Sequence, residues 1–130
     1  MVAHFLLLIS LLFLDQQSPF AEYRWENRII VIDEQLEDSA QQLKAFLMQD
    51  EALQDRDLLI FLKSGSELIC KSADKPTVVD TRNRFSGVVL IGKDGGIKLQ
   101  RDRVVATQVI FDLIDAMPMR QSEMRRKSNP

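Results

Sequence analysis

The chain has 130 residues, the size of a single domain, and its formal net charge is only −2. A charge this close to zero gives no electrostatic basis for binding nucleic acid or an anionic membrane surface, and we expect neither. The single cysteine, Cys70, excludes an internal disulfide, so the domain must be stabilised by packing.

The first segment, residues 1–21, has the pattern of a secretory signal peptide. Its apolar stretch 5–14 is too short to cross a bilayer, which takes about 20 residues, but it suits a signal-peptide core of roughly 7–15. Ala21 is the residue after which we expect the signal peptide to be cleaved. Cleavage there also removes Asp15, which changes the net charge from −2 to −1. We therefore expect an exported protein, periplasmic or extracellular, without a stable transmembrane span. The alternatives are a retained leader that anchors the domain in lipid, or a buried first element of the fold.

The region after the leader begins with a β-α-β pattern. Residues 28–33 form a continuous apolar segment, as expected of a strand covered on both faces. Apolar residues at three- and four-residue steps between 36 and 47 predict an amphipathic helix, with Asp38 or Ser39 as its cap. Residues 57–62 form a second apolar strand. The spacing is right for a right-handed βαβ unit with parallel strands.

The middle of the chain is ambiguous. Residues 67–74 are compatible with an edge strand or an irregular loop. Pro76 suits the first turn of a helix, so we expect a short helix after it, although Thr77–Val79 also has the composition of a strand.

The last third predicts a β-hairpin followed by a helix. Two apolar segments, 88–91 and 97–99, flank a Lys-Asp-Gly-Gly turn, which favours a hairpin. Apolar residues at helical spacing then predict a helix as far as Pro118, which stops or kinks it. Residues 119–130 are polar and basic and are expected to form a C-terminal tail whose last few residues are frayed.

The order of elements is therefore β-α-β-(α)-β-β-α. A βαβ unit followed by ββα is the minimal order of a thioredoxin-like fold. We predict an α/β protein with one thioredoxin-like domain at 22–118, in which a central mixed sheet is flanked by helices.

Five sequence segments also resemble a known family. They are Tyr23–Val31, Arg56–Leu58, Arg84–Phe85, Leu90–Leu99 and Ile114–Met124. These segments are similar to a bacterial domain of unknown function, number 4174, which is related to the extracellular equarin and sushi-repeat proteins. The resemblance implies a thioredoxin-like or peroxiredoxin-like fold, export, and no established catalytic residues.

The distribution of cysteine and histidine excludes most catalytic mechanisms. A thioredoxin-like enzyme places its reactive cysteine where the first strand meets the helix, but residues 33–38 contain none. Cys70 follows the second strand and has no Cys-x-x-Cys partner, so a small half-buried apolar role is favoured. His4, the only histidine, lies in the leader. Removal of the leader would therefore exclude serine triads, Cys–His dyads and histidine-based zinc sites.

Two regions are candidate contact sites. Near the start of the first helix, an acidic cluster has the chemistry of a cation or acid–base site, although capping and the helix dipole also favour carboxylates there. Near the C-terminus, methionines beside basic residues are typical of an adaptable partner surface, or else of a solvated helix end. The candidate binding residues are Asp33, Glu34, Glu37, Asp38, Met119, Arg120 and Met124.

The leading functional hypothesis is an exported, non-catalytic domain that binds a protein or an envelope or matrix component. One alternative is a divergent peroxiredoxin-like thiol reductase that uses Cys70. Another is a carrier of a small molecule or metal ion. No cofactor is predicted, and no set of metal-ligating residues is assigned.

Overall fold

The computed structural model describes residues 18–128. Residues 1–17, which hold most of the expected signal peptide, lie outside the described part, as do 129–130. Among the described residues, no helix has the length and apolar character needed to cross a membrane.

A six-stranded mixed sheet forms the centre of the domain. The strands are β1 (Arg28–Asp33), β2 (Leu58–Ser64), β3 (Glu67–Cys70), β4 (Val78–Val79), β5 (Val88–Ile91) and β6 (Ile97–Arg101). Their spatial order is β4-β3-β2-β1-β5-β6; β1 and β2 are parallel, and every other neighbouring pair is antiparallel. The prediction of an α/β domain with a central mixed sheet is confirmed.

Helices pack on one face of the sheet. Their buried apolar residues, such as Phe46, Leu53 and Ile110, contact alternate residues of β1, β2 and β5 in one core cluster. This arrangement explains the continuous apolar segments, because each central strand is also covered on its other face. The helices are α1 (Ser39–Leu47), α2 (Asp50–Asp55), α3 (Thr107–Asp115) and α4 (Pro118–Ser128).

An aromatic cluster covers the second face of the sheet. The ring of Phe20 lies 4.8 Å from that of Phe61 on β2 and 5.6 Å from that of Phe85, measured between ring centroids. Tyr23, in a short 3-10 turn at Ala21–Tyr23, packs beside them. The structure thus places Phe20 inside the packed domain, although the sequence pattern assigned it to the leader.

Three local expectations differ from the structure, wholly or in part. The short helix after Pro76 is absent; Val78 in β4 instead pairs with Leu68 in β3, where a β-branched side chain fits the sheet. Asp38 is the N-cap residue of α1, as expected, but in a left-handed conformation with φ of 63° and without a side-chain capping hydrogen bond, and the Ser39 hydroxyl donates to the carbonyl of Glu34. The polar segment expected as a tail from residue 119 is helical as far as Ser128, in helix α4, which begins at Pro118 in a position suited to proline.

Candidate functional site

A polar cavity of about 340 Å³ opens at the carboxyl ends of β1 and β2. Loops that follow neighbouring strands meet at this edge of the sheet, which is where open α/β sheets generally bind ligands. The volume is within the range of small-molecule pockets. The lining residues come from the β1–α1 loop, the end of β2, the β2–β3 turn and the loop before β5: Asp33, Gln35, Lys63, Gly65, Ser66, Asp80, Thr81, Asn83 and Ser86.

Lys63 connects the walls of this cavity. Its side chain is buried, and its ammonium group donates hydrogen bonds to Asn83 Oδ1 and to the carbonyl oxygen of Phe85. Asp33 Oδ2 lies 3.8 Å from Lys63 Nζ and compensates its charge. A buried ammonium is tolerated only with such partners. Lys63 therefore joins β1, β2 and the loop before β5.

Asp80 organises that loop. Its carboxylate is buried and accepts hydrogen bonds from the backbone N–H groups of Arg82 at 3.3 Å and Arg84 at 3.0 Å. Arg84 Nε lies 3.6 Å from the same carboxylate. The backbone N–H of Asp80 donates to the carbonyl of Ser66 at 2.7 Å. These bonds bring the loop against the β2–β3 turn and close one side of the cavity.

Uncharged polar groups are available to a ligand in this cavity. Within residues 18–128, the side chains of Gln35, Ser66 and Thr81 make no hydrogen bond to another part of the protein. By contrast, the charged groups of Lys63 and Asp80 are paired. The cavity can therefore offer hydroxyl and amide groups to a ligand without separating an internal ion pair.

The predicted acidic cluster is only partly at the cavity. Asp33 lines it, and Glu34 lies next to it, where Glu34 Oε1 accepts a hydrogen bond from the Ser64 hydroxyl at 2.9 Å. Glu37 and Asp38 are exposed and do not line the cavity. No three His, Cys, Asp or Glu side chains in the described part of the chain are arranged to hold a metal ion.

The C-terminal candidate residues lie on α4, away from this cavity. Met119 is exposed and Met124 is half-buried. Arg120 is only 2% exposed; its guanidinium donates to Asp115 Oδ1 at 3.0 Å and to Asp55 Oδ2 at 2.6 Å. Arg120 therefore fixes α4 to the domain rather than offering a free surface charge.

A second ion-pair group holds α4 to the sheet. Glu123 Oε1 lies 2.7 Å from Lys93 Nζ, and Glu123 Oε2 lies 3.1 Å from Arg28 Nη1. Lys93 also contacts Asp57 Oδ2 at 2.9 Å. Burial alone raises the pKa of Glu123, but hydrogen bonds from Lys93 and Arg28 outweigh it, so the pKa lies below its ordinary value. Glu123 consequently remains ionised between two buried cations.

Four of the five segments that resemble the family contribute charged residues to the two ion-pair groups; the exception is Arg84–Phe85, in the loop before β5. These charged residues are far apart in the chain, yet they meet around α4. The residues are Arg28, Arg56, Asp57, Lys93, Asp115, Arg120 and Glu123.

Cys70 is separate from the cavity. It pairs with Phe61 across β2 and β3, is half-buried, and has its Sγ 3.9 Å from Ser72 Oγ. It does not line the cavity at the ends of β1 and β2.

Sequence reasoning missed Lys63, Asp80 and Asn83. Lys63 directly follows a segment of apolar residues, and this position is a sequence signal, because a cation there must find buried partners. For Asp80 the only sequence signal is its residue type, since aspartate side chains often form a hydrogen bond with the backbone two residues later. Nothing in the linear pattern links Asn83 to Lys63.

Comparison with curated proteins and with solved structures gave no significant match. Residues 19–123 match the family described as a domain of unknown function, DUF4174. The chain belongs to this family.

Proposed function

We propose that this protein is an exported, non-catalytic binding domain with a thioredoxin-like fold, and that its polar cavity takes an uncharged, hydroxyl-bearing group of an envelope component. The main observation behind the proposal is the cavity of about 340 Å³ at the carboxyl ends of β1 and β2, with the exposed amide of Gln35 and the exposed hydroxyls of Ser66 and Thr81 on its walls. A sugar unit of an envelope glycan presents this chemistry.

The strand order supports the thioredoxin-like part of the proposal. Strands β2-β1-β5-β6, with α1 and α3 on one face, form a βαβ unit followed by a ββα unit. In a redox enzyme of this fold, the start of α1 would carry the reactive thiol. Here residues 33–39 contain no cysteine, which favours binding over thiol exchange.

The apolar leader supports export, since residues 5–14 have the length of a signal-peptide core of roughly 7–15 residues. Recovery of the full-length gene product from the periplasm or medium tests this part. Retention in the cytoplasm would contradict export and would leave the binding proposal to its own test.

Calorimetric titration with soluble oligosaccharides of N-acetylglucosamine tests the binding proposal. The ligand should bind the wild type, and Gln35→Ala, which removes a lining amide and no charge, should weaken binding about fivefold, since one hydrogen bond contributes about 0.5–1.5 kcal/mol. Asp38→Asn is the matched control, because Asp38 is exposed in the same loop, outside the cavity, and asparagine tolerates its left-handed conformation.

Two results would contradict the binding proposal. One is the absence of heat with the oligosaccharide at millimolar concentration. The other is equal weakening by Gln35→Ala and Asp38→Asn, which would place the contact outside the cavity.

A further inference from the structure

The N-terminal segment 18–27 is a structural part of the domain. Phe20 is only 3% exposed and packs between Phe61 and Phe85 on the second face of the sheet. The family match also begins before this residue, at position 19. Phe20 therefore belongs to the folded unit rather than to a disposable leader.

Backbone hydrogen bonds hold Phe20 in position. The N–H of Tyr23 donates to the carbonyl of Phe20 at 2.9 Å, and the N–H of Phe20 donates to Ser18 Oγ at 3.2 Å. The N–H groups of Glu26 and Asn27 then donate to the carbonyl of Tyr23 at 3.0 and 2.9 Å. The turn thus runs directly into β1 and fixes the ring over the sheet.

We infer that the mature protein keeps Phe20, so that any signal-peptide cleavage falls on its N-terminal side. This inference rests on the proposed export. Cleavage hydrolyses one peptide bond, adding water to give a new carboxylate and a new amine, and it favours a small residue before the cut. Between residues 15 and 27 the small residues are Ser18 and Ala21. Of the cuts after these two residues, only the one after Ala21 would remove Phe20.

A cut after Ala21 would disrupt the aromatic cluster on the second face of the sheet. The rings of Phe61 and Phe85 would lose the side chain that covers them, and the new amino group of Glu22 would lie beside the exposed apolar surface. Loss of a buried phenylalanine ring is among the most destabilising core changes.

The mass of the processed protein tests the inference. The full chain is expressed in a bacterial host, and the product is recovered and its intact mass and N-terminal sequence are determined. An N-terminus at or before Phe20, including an uncut leader, supports the inference, whereas an N-terminus at Glu22 would overturn it. Ala21→Leu, at an exposed position, should give the same product as the wild type; loss of processing in this variant would also overturn it.

A thermal unfolding experiment tests the structural role of Phe20 independently of export. Phe20→Ala in the full chain should lower the Tm by about 10 °C or more, whereas Met48→Ala, at a side chain that is 75% exposed, should change it little. Equal Tm values for the two variants would contradict the role of Phe20. If the wild type stays in the cytoplasm, only the proposed export fails.

Discussion

Replacement of Glu123 by alanine removes the centre of the ion-pair group that holds α4 to the sheet. Its carboxylate bridges Arg28 and Lys93, whose side chains are 1% and 8% exposed. In the variant, Arg28 keeps the carbonyl of Arg56 and Lys93 keeps Asp57. Each cation therefore loses one of its acceptors while remaining buried.

The expected loss in free energy of unfolding follows from this burial. Removing one partner of a buried ion pair costs about 3–5 kcal/mol, because an uncompensated charge remains. Because Arg28 and Lys93 each keep one acceptor, we expect the free energy of unfolding of Glu123→Ala to fall by an amount at the lower end of this range, about 3 kcal/mol. For a domain with a stability of about 5–15 kcal/mol, this is a large fraction.

Urea unfolding followed by circular dichroism measures this loss, through the midpoint and the slope. Glu37→Ala is the control, because Glu37 is exposed near the start of α1 and should change stability by less than about 0.5 kcal/mol. A loss below about 1 kcal/mol for Glu123→Ala, or one equal to that of the control, would refute the assignment of a stabilising bridge.

Three further predictions concern pH, the cavity and the thiol. Hydrogen bonds from Lys127 and Arg120 lower the pKa of Asp55 from 3.8 to about 2, so its contribution to stability is present above pH 3.8 and is lost as the pH falls towards 2. The difference in stability between the wild type and Asp55→Asn, measured by unfolding followed by fluorescence between pH 6 and 2, should therefore shrink only below about pH 4. Lys63→Met leaves the acceptors of the ammonium group unsatisfied, so the free energy of unfolding in urea should fall by about 1–3 kcal/mol and oligosaccharide binding should weaken. An unchanged free energy of unfolding together with unchanged binding would contradict the role of Lys63. Cys70→Ser should not alter the rate of peroxide consumption by purified protein, because the thiol lies outside the cavity; a rate abolished by this substitution would favour the thiol reductase.

The predictable part of the fold is the part whose signals are local. Residues 28–33 and 88–91 contain the apolar side chains of strands buried on both faces, and the Lys-Asp-Gly-Gly segment forms the predicted hairpin turn. At residues 77–79 two local preferences compete, and pairing with β3 decides in favour of a strand. Tertiary contacts thus override a weak local preference.

The site was harder to predict because its residues interact over long distances in the chain. Asp33 was identified as a member of the acidic cluster near the start of the first helix, but its partner Lys63 and the loop around Asp80 come from later segments. Similarly, Arg120 has the sequence context of an exposed tail, and only the docking of α4 against Asp55 and Asp115 buries it. Pairing of charges between separate elements leaves no periodic signal.

Amide chemical-shift mapping during titration with N-acetylglucosamine shows whether a sugar binds in the cavity at the carboxyl ends of β1 and β2. The proposed binding predicts saturable shifts in 33–35, 63–66 and 80–86, the segments around the cavity, with none in 119–124 of α4. Shifts confined to α4, or none at any millimolar concentration, would contradict a ligand site at the carboxyl ends of β1 and β2.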